Sequence, residues 1–289
     1  MEEKNKLKED VKTFVEYENL KDKRPHSFDV IGHIAIVELP NKTEEEKIKI
    51  AKLIMSLNKH IKTVLEKKSE RKGTYRIREY SLIAGEEKTE TIHKEYGCIF
   101  LLDPTKVYFS PRELTERQRI ASKVNENENV LVMFAGIAPF AIQIAKKQPN
   151  VNKVVCIEIN PIAVEYAKKN IKLNKVENKV EIIEGDVRDI KKEFFEMFDR
   201  IIMPLPLGSE SFLDIAAKYV KKPGIIHFYN WGREPNIFEN GEKVIDDVFK
   251  KLNIKYKILE KRKVLPYGPR KWKVCFDILV MKEKEDEIK

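Results

Sequence analysis

The sequence is poor in cysteine, and neither its cysteines nor its histidines form the patterns that mark disulfide frameworks or metal sites. Its 289 residues include three cysteines, Cys98, Cys156 and Cys275, which lie too far apart to form a CxxC pair. The five histidines show no metal-ligand spacing. We therefore expect no disulfide framework and no bound metal, and a reducing compartment is the natural location.

Long apolar runs are also missing. The most apolar stretch, residues 130–145, is shorter than the ~20 residues of a bilayer-spanning helix and is interrupted by Gly136 and Pro139. The first ten residues are highly charged and lack the apolar centre of a signal peptide. These absences predict a soluble, cytoplasmic protein.

Acidic residues are outnumbered. The chain has 56 Lys and Arg against 47 Asp and Glu, which gives a formal net charge of +9. A basic excess of this size is typical of proteins that bind a polyanion, and nucleic acid is the commonest one. A lysine-rich, solvated surface would give the same charge, so composition alone leaves both interpretations open.

Residues 1–120 have the pattern of a small α+β domain. The segments DVIGHIAIVELP, TYRIREY, YGCIFLLD and KVYFS predict strands because they are rich in β-branched and aromatic residues. Thr43 and Glu46 fit a helix capping box. The apolar residues that follow at helical spacing, and so predict one amphipathic helix, are Ile50, Ile54, Leu57, Ile61 and Val64. We expect the segment LTERQRIASKV to form a second helix that links this domain to the next.

Residues 121–289 alternate short apolar runs with helical stretches. The runs are VLVMF, VVCIEI, VEIIEG, RIIMPL and IIHFYN. Helical patterns such as PFAIQIAKKQ, PIAVEYAKKNIKLNK and SFLDIAAKYVKK separate them, which predicts an α/β fold with a parallel sheet covered on both faces. The last two runs, KYKILEKRKVL and WKVCFDILVMK, flank a turn-rich PYGPRK and predict an antiparallel pair that closes the sheet.

Candidate ligand-binding residues follow three successive strands, at the sheet edge where open α/β proteins bind ligands. Phe134 and Gly136 follow the first strand, where small residues let the backbone approach a ligand. Glu158 and Asn160 follow the second, and an acidic side chain there can accept both hydroxyl hydrogens of a ribose. Asp186 and Val187 follow the third, where the carboxylate can accept from an adenine amino group. Since the GxGxxG of dinucleotide sites is absent, this order favours S-adenosylmethionine over NAD.

Several longer motifs give the sequence a specific resemblance. YRIREYSLIAGE, KVYFSPRELTERQRI, VMFAGIAPF, EINPIAVEYAKKNIKLNK, DRIIMPLPLGSESFLD and PYGPR are similar to motifs of the archaeal tRNA (guanine-37 N1)-methyltransferases. The resemblance runs from about residue 28 to 280. It implies a class I, Rossmann-like S-adenosylmethionine methyltransferase domain preceded by a small α+β RNA-binding domain. Family members often carry a further N-terminal domain, which this chain is expected to lack.

The resemblance also assigns residue roles. Glu116 matches the general base that removes the N1 proton of guanine, and Arg76 matches the arginine that stabilises the neighbouring oxygen. Tyr108 matches an aromatic residue beside the cofactor. From the residues alone, Glu116 could equally lie on an exposed helix face, Arg76 could pair with Glu79 or Glu90, and Tyr108 could be a core residue.

Pro204 and Pro206 mark a departure from the relatives with a single activity, which resemble Asn-Leu-Pro at this place. Proline offers no side-chain hydrogen bond, so methylation of an exocyclic amine is disfavoured. The Pro-Leu-Pro sequence resembles the subgroup that also methylates C7 of 4-demethylwyosine, the tricyclic base made from the same nucleotide. A purely structural Pro-x-Pro turn is the alternative interpretation.

Two mixed clusters of basic and aromatic residues predict contacts with RNA. The first cluster comprises Arg71, Lys72, Tyr75, Arg76 and Arg78, and the second comprises Lys261, Arg262, Lys263, Tyr267, Arg270, Lys271, Trp272 and Lys273. Each could instead be a solvated hairpin. The expected partner is tRNA, bound through its anticodon loop, with tRNA-Phe the expected species and the enzyme a monomer. An aminocarboxypropyl transferase acting on the same nucleotide and a tRNA-binding protein without catalysis are the rival functions.

Overall fold

The chain forms two compact units. The computed structural model describes residues 28–71, 73–189, 192–205 and 208–281. Within that part of the chain, the first unit comprises residues up to 94 together with 99–111, and the second comprises 95–98 together with the residues from 112 onward. This division falls before the boundary of 120 drawn from the sequence. The linking helix packs with the second unit, because its buried face lies against the sheet there.

The first unit is an α+β structure. Its sheet has the order β1-β2-β3-β4, in which β2 and β3 are parallel and the other neighbours are antiparallel. A separate pair, β5 and β6, forms a two-stranded sheet. The turn between these strands, with the residue on either side of it, makes up residues 95–98, which belong to the second unit. The elements are β1 Asp29–Ile31, β2 Ile34–Val37, α1 Glu44–Leu57, β3 Thr63–Lys67, β4 Tyr80–Gly85, β5 Thr91–Glu95 and β6 Cys98–Leu102.

Helix α1 begins as the sequence predicts but ends earlier. The Thr43 hydroxyl accepts from the backbone N–H of Glu46, and the Glu46 carboxylate accepts from the backbone N–H of Thr43, so the capping box is confirmed. The predicted continuation through Ile61 and Val64 is wrong. Ile61 follows the helix and Val64 lies in β3, and both are buried in the same core as Ile50. A buried apolar residue at helical spacing is thus no proof that the helix continues.

Two of the predicted strands in this unit are also wrong. The segment TYRIREY begins within a turn that covers residues 73–76, and a strand starts only at its last residue, Tyr80. The positive φ of Gly73 and of Arg76 (67° and 54°) is incompatible with an extended strand. KVYFS contains no strand, although Val107 and Phe109 are buried as strand residues would be. YGCIFLLD does contain β6.

The second unit is a seven-stranded sheet of order β12-β13-β11-β10-β7-β8-β9. Strands β7 to β11 run parallel, and β12 and β13 form the predicted antiparallel pair, with β13 next to β11. The strands are β7 Asn129–Met133, β8 Lys153–Glu158, β9 Val180–Glu184, β10 Phe198–Met203, β11 Val220–Arg233, β12 Tyr256–Gly268 and β13 Lys271–Val280. The helices are α2 Leu114–Lys123, α3 Pro139–Lys147, α4 Pro161–Leu173, α5 Leu213–Tyr219 and α6 Glu239–Lys251, and 3-10 turns cover Pro111–Glu113, Lys192–Phe194 and Ser209–Phe212.

The sheet explains why the strands could be recognised in the sequence. Strands β7, β8 and β10 are parallel and buried on both faces, so they appear as continuous apolar runs. The one large difference is at β11, which begins at Val220, so the end of the predicted helix SFLDIAAKYVKK is strand. The prediction of an α/β fold whose parallel sheet is closed by an antiparallel pair is confirmed. No helix among the residues that the structure describes is long and apolar enough to cross a bilayer.

Candidate active site at the carboxyl edge of the sheet

The loop after β7 has an unusual backbone. Every second residue of this loop has a positive φ angle: 55° at Phe134, 56° at Gly136 and 64° at Ala138. Only glycine adopts this conformation without strain, so Phe134 and Ala138 are held there by their surroundings. The backbone N–H of Ala135 donates to the carbonyl of Ile157 on β8, and α3 begins at Pro139 as predicted. Strained backbone at a strand end is typical of ligand sites.

Glu158 is fixed by this loop and by the turn that follows β8. One carboxylate oxygen accepts from the backbone N–H of Gly136 at 2.7 Å, and the other accepts from that of Asn160 at 2.8 Å. Burial raises the pKa of Glu158, and hydrogen bonds from the backbone of Asn160, Gly136 and Ile159 oppose the rise. A carboxylate has about four acceptor sites, so roughly one remains for a ligand. Asn160 itself caps α4 by accepting from the backbone N–H of Ile162.

The third strand end lies beside the second. The backbone N–H of Gly185 donates to the carbonyl of Glu158, which sets Asp186 next to the Glu158 turn. No described atom lies within 4 Å of the position where a Cβ on Gly185 would stand, so there is open space at this edge. Both carboxylate oxygens of Asp186 are bound by the Arg188 side chain, which is the main cause of the lowered pKa of Asp186. Val187 is buried in the core beneath.

Helix α2 and the turn before it lie on β11, β12 and β13 through a stripe of charged side chains. The stripe follows the spacing of a helix face, and its members pair with residues of the sheet. The pairs are Glu113 with Lys273, Glu116 with Tyr229, Arg119 with Asp277, and Lys123 with Glu260. Such a contact is unusual because most helices cover a sheet with apolar residues.

Glu116 lies in the middle of this stripe. Only 4% of the residue is exposed, so the alternative of an exposed helix face is wrong. Oε1 accepts from the Tyr229 hydroxyl at 2.6 Å and from Arg119 Nη2 at 2.7 Å, and Oε2 accepts from Arg119 Nε at 2.9 Å. A carboxylate has about four acceptor sites, so roughly one remains, on Oε2. Arg262, from the second basic cluster, is 3.8 Å from the same oxygen.

Arg119 connects Glu116 to a second buried carboxylate. Its guanidinium also donates to Asp277, and Asp277 accepts from His227 Nδ1 at 2.6 Å. On the other side of the imidazole, Nε2 is 2.9 Å from Arg200 Nη1. Because a guanidinium can only donate, His227 Nε2 must be the unprotonated acceptor, so the ring is neutral with its proton on Nδ1. Burial lowers the pKa of His227, and Arg200 and Arg119 lower it further against the opposing effect of Asp277.

His227, Cys275 and Asp277 lie close enough together to suggest a metal site, but cations already fill that role. Arg119 lies 3.3 Å from the Cys275 sulfur, and Lys123 lies 2.9 Å from Asp277. Despite burial, which acts in the opposite direction, hydrogen bonds from His227 and Arg119 hold the pKa of Asp277 well below its ordinary value. A divalent ion at this place would face two fixed positive charges, so we interpret the cluster as a hydrogen-bonded ion network.

Pro204 follows β10 at the same edge of the sheet. Its carbonyl accepts from the Lys273 ammonium at 3.1 Å, and the same ammonium donates to Glu113 at 2.9 Å. Lys273 is only 1% exposed, so it cannot be one of the phosphate contacts predicted for the second cluster. Pro206, the other proline of the motif, lies outside the described residues.

Arg76 and Tyr108 belong to the first unit. Arg76 lies in the turn at residues 73–76, and its backbone N–H donates to the carbonyl of Gly73. Tyr108 is half-buried, with the guanidinium of Arg71 4.0 Å from its ring centre. Lys72 of the first basic cluster lies outside the described residues. A cavity of about 620 Å³ in this unit is lined by His33, His60 and His93 among others and contains none of the predicted site residues.

Sequence analysis missed four residues of this network. Arg119 and Tyr229 are an ordinary helix residue and a residue of an apolar strand, and neither had a recognisable signal. Lys273 and Asp277 had one: they interrupt the apolar run WKVCFDILVM four positions apart, on one face of the strand, and buried charges need partners.

The sheet order, the strained loop after β7 and the acidic residue that ends β8 define this unit as a class I methyltransferase. The TRM5/TYW2 methyltransferase domain model matches residues 91–259, and the TYW2 N-terminal domain model matches residues 7–89. The chain therefore belongs to the TRM5/TYW2 methyltransferase family.

Relatives with different activities are similar to this chain. It is 41% identical over 256 residues to tRNA (guanine(37)-N(1))-methyltransferase Trm5b of Pyrococcus abyssi, covering 89% of this chain and 75% of that protein. It is 31% identical to tRNA (guanine(37)-N(1))/4-demethylwyosine(37)-methyltransferase Taw22 of Nanoarchaeum equitans, covering 88% and 100%. It is 36% identical to a tRNA(Phe) (4-demethylwyosine(37)-C(7)) aminocarboxypropyltransferase of Methanocaldococcus jannaschii, covering 71% and 80%.

Solved structures give the same result for the fold. Trm5b of Pyrococcus abyssi superposes with a TM-score of 0.82, covering 92% of this chain and 78% of that one. A complex of aTrm5 with tRNALeu superposes with a TM-score of 0.81 at 37% identity, covering 93% and 77%. M. jannaschii TYW2 in complex with AdoMet superposes with a TM-score of 0.69 at 32% identity, covering 89% and 100%.

Proposed function

We propose that this chain is a tRNA methyltransferase that uses S-adenosylmethionine to methylate the purine at position 37. Its substrates would be N1 of guanosine and C7 of 4-demethylwyosine. The observation that carries the proposal is the buried Glu116 carboxylate, held at the sheet edge with one acceptor site open. Membership of the TRM5/TYW2 family and the likeness to Taw22 support both the donor and the nucleotide.

The strand ends fit the donor. Glu158 keeps acceptor capacity for ribose hydroxyls, and the open space at Gly185 leaves room beside it. Phe134, Gly136, Asn160, Asp186 and Val187 would complete the site, and Tyr108 matches the aromatic residue that the family has beside the cofactor. Asp186 has to leave Arg188 before it can accept from an adenine amino group. When bound, the donor supplies a methyl group on a sulfonium, which is an excellent leaving group.

Glu116 would act as the general base. N1 of guanosine carries a proton, and its lone pair is not available until that proton is removed. The open acceptor site on Oε2 can receive it, while Arg119 and Tyr229 keep the carboxylate oriented. As the proton goes to Glu116, the methyl group forms a bond to N1 and leaves the sulfur as a neutral thioether. The charge that develops on the base oxygen would be stabilised by Arg76, on the strength of its match to the family motif.

Pro204 supports the second substrate. It offers no side-chain hydrogen bond, and its fixed φ gives the strand end a rigid wall. Its carbonyl already accepts from the buried Lys273 ammonium. A wall of this kind selects a flat base by shape, which suits both guanine and its wider tricyclic derivative.

The test uses two tRNAs and a donor labelled in the methyl group. One tRNA-Phe transcript carries guanosine at position 37, and the other carries 4-demethylwyosine. We expect label in both products, with mass spectrometry of the nucleosides showing one added methyl group each. Transfer of an aminocarboxypropyl group would instead establish the rival activity, and donor binding without any product would establish a non-catalytic tRNA-binding protein.

The variant Arg76→Lys tests the assignment of the first unit. Lysine keeps the charge but loses the planar pair of donors, so the rate on guanosine should fall about 10- to 100-fold with unchanged donor affinity. Arg112→Lys, an exposed arginine, is the matched control. We further propose that the enzyme acts as a monomer on the anticodon loop and works in the cytoplasm, where its tRNA substrate is found.

A further inference from the structure

An aromatic pair stands at the end of β11, and both of its residues are at least partly exposed. The ring centres of Trp231 and Tyr267 are 4.3 Å apart, with the planes inclined by 49°, and 48% of Tyr267 is exposed. The Lys271 ammonium lies 5.0 Å from the first ring centre and 5.1 Å from the second. We propose that these three residues form a stacking subsite for an unpaired RNA base adjacent to the methylated nucleotide.

The strand register places this pair beside the proposed base. Side chains of a strand alternate between its faces, so Trp231 lies on the same face as Tyr229, about 7 Å further along. Tyr229 is the residue that donates to Glu116, and Lys273, directly opposite Trp231, donates to Glu113. One short stretch of single-stranded RNA can therefore contact both the Trp231–Tyr267 pair and the site at Glu116. The inference rests on the proposed function, since it assumes that tRNA is the substrate.

The register also corrects the composition of the second basic cluster. Trp272 points to the opposite face, where it packs against the core that contains Val274 and Phe276. Its indole N–H donates to Glu234. Trp231, which lies outside that cluster in sequence, takes its place as the partner of Tyr267. The structure thus separates the aromatic residues that can stack on a base from the one that supports the hairpin.

The chemistry of the pair favours RNA over a protein partner. Every base has a flat π face that stacks on an aromatic ring, whatever its identity. Lys271 provides positive charge at the same place, and the exposed Arg270 in the adjacent turn adds a second cation. A base and its phosphate need this combination of ring and cation. An apolar peptide would have to desolvate both cations without pairing them.

The experiment is a fluorescence titration of the full chain with an anticodon stem-loop RNA that carries 2-aminopurine on either side of position 37. Stacking quenches this base, so wild type should quench one of the two RNAs. Tyr267→Ala and Trp231→Leu should weaken binding about 5- to 150-fold and remove the quenching, whereas Tyr267→Phe should retain both. Lys271→Gln should lower the slope of log affinity against log salt by about 0.7.

Two measurements keep the result interpretable. Donor affinity by calorimetry should be unchanged in every variant, which shows that the methyltransferase unit is folded. Phe195→Ala, an exposed aromatic at the amino end of β10, should bind RNA as wild type does. If Tyr267→Ala binds and quenches normally while still methylating tRNA, the subsite is wrong and the proposed function stands. If wild type neither binds nor methylates the tRNA, both inferences fail.

Discussion

The two halves of the sheet edge are built from different interactions. In the donor half, which comprises the ends of β7, β8 and β9, backbone N–H groups of Gly136 and Asn160 hold Glu158. In the acceptor half, which comprises α2 with β11 and β13, side chains hold one another. Arg119 lies between Glu116 and Asp277, and each of the three is largely buried.

This difference predicts two kinds of mutational effect. Backbone donors remain after a side chain is replaced, so a substitution in the donor half should change ligand affinity and little else. A buried ion network leaves uncompensated charges when one member is lost, so a substitution in the acceptor half should change the rate and the stability together. The following experiments compare the two halves, beginning with the largest expected effect.

Glu116→Gln should lower the single-turnover rate of N1 methylation by about 10²- to 10⁴-fold, because an amide cannot take the proton. Donor affinity, measured by calorimetric titration, should be unchanged, since the donor half is intact. Glu126→Gln, an exposed acid in the loop before β7, is the control. A rate within about threefold of wild type would remove Glu116 from the reaction.

Arg119→Met should destabilise the second unit by about 3–5 kcal/mol, because Glu116 and Asp277 would remain buried without their shared cation. Urea unfolding followed by circular dichroism measures this change. The control is Arg188→Met, whose ion pair with Asp186 is solvent-exposed and should leave the midpoint nearly unchanged. Equal midpoints for Arg119→Met and wild type would show that the network contributes nothing to stability.

The acceptor half could not have been predicted from the sequence in the way that the donor half was. Glu158 ends β8 and Asp186 follows β9 by two residues, so strand recognition is enough to place them. Tyr229 and Glu116 are 113 residues apart, and Lys273 and Glu113 are 160 apart. Nothing local in β11 or β13 indicates which helix residue will lie opposite. Glu116 was found only because its surrounding motif resembles a family.

The first unit shows a second limit of sequence interpretation. KVYFS has the composition of a strand, and Val107 and Phe109 are indeed buried, but the backbone around them pairs with no strand. Burial and strand propensity favour the same residues, so the pattern cannot separate them. In the second unit the parallel strands are longer apolar runs bounded by helices, and there the same reasoning gave the correct elements.

Glu158→Ala should weaken donor binding by about 1.5–3 kcal/mol, the usual loss for charge-assisted hydrogen bonds. The N–H groups of Gly136 and Asn160 lose an acceptor in this variant, but no buried charge is left unpaired, so the unfolding midpoint should change much less than in Arg119→Met. Glu184→Ala, an exposed acid at the end of β9, controls for charge alone. If calorimetric titration shows that Glu158→Ala binds the methyl donor with wild-type affinity, Glu158 is excluded from the donor site.

The neutral His227 predicts a pH dependence of stability. Its pKa is lowered in the folded state, chiefly by burial, so the unfolded chain binds more protons below its ordinary value of about 6.5. The free energy of unfolding should therefore be insensitive to this group above about pH 6.5 and should fall as the pH drops below it. His227→Gln, which can still donate to Asp277 and accept from Arg200, should flatten this fall. Identical pH profiles for the two proteins would mean that the imidazole titrates alike in both states.

Pro204→Asn should change the ratio of the two methylations and leave donor affinity unchanged. Asparagine adds a hydrogen-bonding group and removes the fixed φ at the strand end. N1 of guanosine can use such a neighbour, whereas C7 of the tricycle is a carbon and gains little. The tricycle is also wider and depends more on the shape of the wall, so C7 methylation should suffer more. Initial rates on the two tRNAs, measured in parallel, give the ratio.

Pro206→Ala is the matched comparison and should lower both rates together. If Pro204→Asn also lowers both rates equally, Pro204 is a scaffold residue, and the specificity of the acceptor half must come from elsewhere.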